Sequence, residues 1–478
     1  MNEPTLTLAS LAPALPEIFL AAAICVVLLV DVFAGAAGRR ITPTLTLVVL
    51  AAGAALTLAF AQPGGTVELF SGMYISDPLS VVLKLAGFLF VAVGLLYSRH
   101  YLELRGILRG EYYVLALTAL LGMFVMISAA SLLTLYVGIE LLALSLYAMV
   151  AFDRDSGVAA ESAMKYFVLG AIASGALLYG MSLVYGLTGS LLLSEIAAAL
   201  QGEPSLGLIM GLVFLVVGVS FKFGAVPFHM WVPDVYHGAP SAVTLFVGTA
   251  PKLASFALAY RLFASGLAGV SDSWAQMLAI VAALSMVVGN LVAIAQTNLK
   301  RMLAYSAIGN VGFILLGFVA GTEQGYEAAL YYTLVYVLMA LGSFGVILLA
   351  SRAGFEADEL AHYKGLHQRD PLLALIMMFL MFSTAGVPPF VGFWAKLQIF
   401  QALWATDHVV LVLIGASVSV LGLFYYLRII KLMYFDDPGD LPRSEARPGV
   451  RLALGINSLA VLALGLVPNV MLSLCARV

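Results

Sequence analysis

The chain has 478 residues, of which 62% are hydrophobic and only 10% charged, where a soluble domain carries about 25% charged residues. Lys and Arg number 23 against 26 Asp and Glu, which leaves no basic footprint for a nucleic acid. A mean hydropathy of +1.04 excludes a water-soluble enzyme and points to an all-α polytopic membrane protein in a lipid bilayer.

A membrane helix needs about 20 apolar residues. Fourteen stretches qualify, near 13–34, 42–61, 78–98, 111–127, 131–152, 159–187, 207–237, 240–262, 274–296, 302–320, 326–350, 372–403, 408–430 and 452–475. No Lys or Arg precedes the first, unlike a cleaved signal peptide, which begins with positive charge. Sixteen cations, from Arg39 and Arg40 through Lys300 and Arg301 to Arg443, Arg447 and Arg451, fall in alternate loops, against Arg261 and Arg477 in the others. This asymmetry predicts both termini on the non-cytoplasmic side.

Five cations remain inside apolar spans: Lys84, Lys165, Lys222, Lys252 and Lys396. All are lysines, which can lose a proton when desolvated, whereas arginine stays charged. Lys84, early in the third span, is expected to reach the interface and play no special part. Glu140 sits in the middle of the fifth span and needs a partner from another helix; Lys165 in the sixth is the nearest in sequence. Such a pair could tune its members' proton affinity or simply orient two helices.

The seventh span, too long for one crossing, is interrupted by Pro227 and Pro233 and should be a broken helix with Lys222 near its middle. His229 and His237 follow, with Asp234 between them; they are candidates for a proton relay or for plain loop lining. In the eighth span Lys252, beside Pro251, lies near mid-depth. The twelfth repeats the pattern, with Gly386, Pro388 and Pro389 at its centre and Lys396 beyond. Two interrupted spans, five apart, predict inverted five-helix repeats. The expected layout is a three-helix segment (1–110), repeats at 111–263 (spans 4–8) and 264–435 (spans 9–13), and a last helix (436–478). Lys222 and Lys396 are 174 residues apart, an offset that puts Ile314 opposite Glu140, so the second copy would lack the acidic partner.

Cys25 and Cys475 lie at opposite ends and form no metal or iron–sulfur motif, and neither a dinucleotide fingerprint nor a Walker A loop occurs. No cofactor or metal is expected in this chain, so electrons and nucleotides would belong to partners.

The stretches FKFGAVPFHMWVPDVYHGAPSAV, NLKRMLAYSAIGNVGFILLG and VPPFVGFWAKLQIF, with the Lys252 segment, resemble the antiporter-like, proton-conducting membrane subunits of respiratory NADH:quinone oxidoreductase (complex I). FDRDSGVAAESAMKYFVLGAIASGALLYG resembles the N branch of that family. The same family includes multisubunit cation/proton antiporters and membrane-bound hydrogenases. The resemblance implies proton transfer through Glu140, Lys165, Lys222, Lys252 and Lys396. It also implies a bacterial inner-membrane location, neighbouring antiporter-like subunits, and FMN, iron–sulfur clusters and quinone held by other subunits. A cation/proton antiporter without a redox partner and a passive scaffold are the rival readings.

Overall fold

The computed structural model describes residues 11–35, 38–61, 65–200, 202–439 and 448–477. Residues 1–10, whose lack of cations bears on the signal peptide, lie outside them, as do Arg443, Arg447 and the side chain of Arg39.

Helices α1 (Leu15–Ala34) and α2 (Gly38–Phe60) lead into an unanticipated antiparallel hairpin, β1 (Val67–Leu69) and β2 (Tyr74–Ser76). Then come α3 (Pro78–Leu104), α4 (Gly110–Ile127), α5 (Leu132–Val150), α6 (Gly157–Thr188) and a short α7 (Leu193–Ala199). The seventh crossing is α8 (Leu206–Phe223) and α9 (Trp231–Gly238). The eighth is α10 (Ser241–Gly248) and α11 (Pro251–Ala259), continued by a π-helical turn to Gly266. Next are α12 (Ser271–Ala295), α13 (Leu299–Val319), α14 (Glu323–Ala350) and a one-turn α15 (Leu366–Arg369). The twelfth crossing is α16 (Pro371–Ala385) and α17 (Val391–Ala405), followed by α18 (Val409–Phe435), α19 (Pro448–Leu466) and α20 (Asn469–Cys475). Among the described residues thirteen helical stretches are long and apolar enough to cross a membrane; the broken α16–α17 pair is the place of the fourteenth expected stretch.

The ends of these helices follow from local chemistry. Asp77 accepts from Ser80 N while Ser80 Oγ accepts from Asp77 N, a capping box with Pro78 in the first turn of α3. Ser131, Ser156, Ser205, Asn298, Thr322 and Asp370 each accept a backbone N–H at the start of the helix that follows.

Both broken crossings use one device. α8 stops at Gly224 (φ 76°) and α16 at Gly386 (φ 88°), left-handed positions open to glycine. Gly224 N donates to Phe221 O and Ala225 N to Ser220 O; Gly386 N donates to Ser383 O and Val387 N to Phe382 O. Each break thus has the same two bonds, and a cis X–Pro bond follows at the same offset, Val226–Pro227 and Pro388–Pro389.

Burial grades across the bundle. The span from Ser241 to Gly266 is enclosed by protein on all sides, and α13 and α14 nearly so. By contrast, α1, α18 and α19 expose large apolar side chains such as Phe33 and Phe435, as a lipid-facing rim requires. One end of the bundle carries the hairpin. The other carries the loops with Arg105, Arg154, Arg301, Arg352 and Lys364 and is the cation-rich face.

Candidate functional site

The breaks matter because a helix end leaves carbonyls without intrahelical partners. At the end of α8 the last three are all taken by side chains. Trp231 Nε1 donates to Phe221 O (3.0 Å), Ser255 Oγ to Lys222 O (3.5 Å) and Lys252 Nζ to Phe223 O (2.7 Å). Lys252, 2% exposed, also lies over the Trp231 ring at 5.9 Å. At the end of α16, Lys396 Nζ donates to Ala385 O (2.9 Å) and lies over the Phe313 ring at 5.2 Å. Both ammonium groups therefore sit on the carbonyl one residue before the left-handed glycine, each beside an aromatic face. Among the described residues neither forms an ion pair.

Lys222, in the last turn of α8, reaches across to Ile139 O on α5 (3.4 Å), next to Glu140, and lies within electrostatic reach of that carboxylate. Glu140 itself accepts a hydrogen bond from Ser174 Oγ on α6. The expected Glu140–Lys165 pair does not form. Ser174 marks the level of Glu140 on α6, and Lys165 lies nine residues away, about 13 Å of helical rise. Lys165 is 45% exposed and pairs with Glu161 and with Asp234 of α9, both at 2.9 Å; Asp234 also binds Arg301 at 2.9 Å.

Three further expectations are corrected. Lys84 does not reach the interface. It is buried against Glu17 (2.6 Å) and Tyr74 OH (3.0 Å), which α1 and β2 bring to it. Arg261, counted as a loop cation, is 3% exposed and binds both carboxylate oxygens of Asp77 at 2.6 and 2.7 Å, so the buried cations are not all lysines. Lys300, counted on the opposite loops, is 3% exposed and donates to Ala239 O at 2.9 Å. The two histidines part company: His237 lines a cavity beside Lys300, while His229, in the linker between α8 and α9, has a buried Nδ1 without a partner.

The sequence reading missed a polar string through the second half. Tyr332 OH donates to Asn310 Oδ1 (2.7 Å), Asn310 Nδ2 donates to Ser306 O (2.8 Å), and Ser306 Oγ meets Tyr426 OH at 2.6 Å. Tyr332 stacks on Phe313, the ring beneath Lys396. Ser306 and Asn310 are four apart on α13, a spacing that puts polar groups on one helix face; that was the signal available. No group of three or more potential metal-ligating side chains occurs among the described residues.

Residues 129–422 match the NADH:quinone oxidoreductase/Mrp antiporter transmembrane family. The chain is 55% identical to NADH-quinone oxidoreductase subunit N of Thiobacillus denitrificans, over 100% of this chain and 99% of that one. It is 52% identical to the subunit of the same name from Herminiimonas arsenicoxydans, over 98% and 97%. Its fold is similar to a chain of respiratory complex I from Thermus thermophilus with bound aureothin (TM-score 0.83, 33% identity, 96% and 99% covered). It is also similar in fold to a chain of the Mrp complex from Dietzia sp. (TM-score 0.86, 22% identity, 99% and 97% covered).

Proposed function

The chain belongs to the NADH:quinone oxidoreductase/Mrp antiporter membrane family, among its NADH-quinone oxidoreductase N subunits, and from that premise we propose that it carries protons across a bacterial inner membrane. The energy comes from redox chemistry in other subunits, which hold FMN, iron–sulfur clusters and quinone. The proton moves among Lys222, Lys252 and Lys396, and Glu140 sets the affinity of Lys222. The Tyr426–Ser306–Asn310–Tyr332 string lies within the second half and leads to the Phe313 ring beneath Lys396. His229 and His237 are relay candidates, and Lys165 acts through Asp234 to hold α9 in place.

One observation carries this reading: Lys252 and Lys396 rest on carbonyls of broken helices, with no carboxylate among the described residues paired to them to fix their charge. A helix C-terminus attracts a cation through its partial negative charge, yet a neutral acceptor leaves the amine able to give its proton up, which arginine could not do. Moving one charge across 100 mV takes about 2.3 kcal/mol, well within what charge–charge coupling at low dielectric delivers. The matching glycine breaks support reading spans 4–8 and 9–13 as two copies of one unit. Aligned on Gly224 and Gly386, however, Lys222 precedes its break and Lys396 follows its own, so these two lysines are not counterparts. The cation-rich face is assigned to the cytoplasm and both termini to the opposite side.

The test is replacement of Lys222 or Lys252 by methionine in the whole oxidoreductase, with proton pumping and quinone reduction measured in membrane vesicles. We expect pumping to fall by about tenfold or more. Wild-type rates of both processes would overturn the proposal.

A further inference from the structure

Lys300 is buried in a wall of protein at the cation-rich face, and its ammonium is held as those of Lys252 and Lys396 are. Its partner is a main-chain carbonyl at a helix end, Ala239 O, which follows α9. It forms no ion pair among the described residues. Beside it opens a polar cavity of about 200 Å³ whose wall includes His237, Glu356 and Asp358. His237 is exposed at its rim. Inward from Ala239 by one helical turn lies Tyr236, which is fully buried and whose hydroxyl has no partner among the described residues. Its ring packs against Gly248, so closely that a Cβ there would stand 3.2 Å from it. Gly248 ends α10, and Lys252 opens α11 four residues on, just across the break between them.

We propose that this cavity is where protons are collected from the aqueous phase, and that Lys300 passes them through Tyr236 to Lys252. The inference rests on the proposed function and adds to it an uptake point and two proton-carrying residues. A proton from water binds a carboxylate of the cavity wall. It moves to the neutral amine of Lys300, making the ammonium and restoring the carboxylate, then leaves inward, restoring the amine. No electrons move. The Tyr236 hydroxyl, a donor and an acceptor without a partner among the described residues, suits a carrier between hydrated points.

Capping alone would not call for a buried lysine. On the same face the end of α12 is capped by Arg428, which donates to Ile294 O (2.8 Å) and Gln296 O (2.7 Å) and is only half-buried. A permanent cation serves there. Where the cavity meets the core, the cation is one that can release its proton.

The experiment compares Lys300→Arg, Tyr236→Phe and Lys252→Met in the intact oxidoreductase, reading proton pumping in vesicles together with subunit content. Arginine keeps the charge and a donor for Ala239 O, and phenylalanine keeps the ring. We expect both variants to assemble and to pump about tenfold more slowly. Wild-type pumping in Lys300→Arg would show that a fixed cap suffices and would overturn the inference. If that variant fails to accumulate, Tyr236→Phe decides: wild-type pumping there removes the path. Should Lys252→Met alone stop pumping while the other two pump normally, the uptake point falls and the proposed function stands. Normal pumping in Lys252→Met would instead remove the function itself.

Discussion

Lys84 and Lys252 are equally buried, each 2% exposed, yet they belong to regions built for different ends. In the N-terminal three-helix segment, Lys84 is closed into a network with Glu17 and Tyr74, and Tyr74 OH is further tied to Pro13 O at 2.8 Å. That one ammonium fastens α1, the hairpin and α3 together. In the broken-helix core, Lys252 meets only a carbonyl and a ring face. On the proposed reading, burial does not mark a proton carrier; the partner does. A carboxylate at 2.6 Å fixes a lysine as a cation, and a helix-end carbonyl leaves it free to exchange.

The sharpest way to break this contrast is to delete each amine. Lys252→Met should leave the subunit assembled and stop pumping. Lys84→Met should strand Glu17 without its cation and destabilise the N-terminal segment by about 3–5 kcal/mol, read as loss of subunit from purified membranes. The double variant Lys84→Met/Glu17→Leu removes both charges, and we expect it to recover subunit content with pumping near wild type. Failure of the double variant to pump would move Lys84 into the transfer machinery.

Next in size is Glu140→Gln, which keeps the Ser174 contact but removes the charge facing Lys222. Pumping should fall by about threefold to tenfold, with Lys222→Met adding little beyond its own effect. The double mutant measures this, and independent, multiplying losses would contradict the link between the two. The smallest effect is expected for Lys165→Met. Its ion pairs are exposed, and exposed pairs contribute little, so pumping should stay within about twofold. A loss as large as that of Lys252→Met would return Lys165 to the proton path.

Much of the architecture was legible in the sequence because it is local. Apolar length gives the membrane helices, thirteen of which are found among the described residues, and Pro227, Pro388 and Pro389 announce the breaks. The lysines at mid-depth stand out against a chain nearly free of charge. What was not legible depends on how distant segments meet. Lys165 is nearest to Glu140 among lysines in sequence, but helical rise carries it away while α8 brings Lys222 close. Lys300 and Arg261 sit at span edges and read as loop cations, yet α9 ends on the first and Asp77, the cap of α3, binds the second. Glu17 gave no sign of meeting Lys84, since their contact depends on where α1, packed on α2 and α4, comes to lie beside α3. An offset taken from lysine to lysine pairs residues on opposite sides of the two breaks; if the halves are two copies of one unit, as proposed, the matching glycines give the offset instead.

The central claim is that Lys252 works by losing and regaining a proton. Lys252→Arg tests it most directly, because arginine retains the positive charge and a donor for Phe223 O while remaining protonated. Measured as protons pumped per NADH oxidised in the assembled oxidoreductase, the variant is expected to lose pumping as Lys252→Met does. A wild-type ratio from Lys252→Arg would contradict the account, since a permanent cation would then do all that the lysine does.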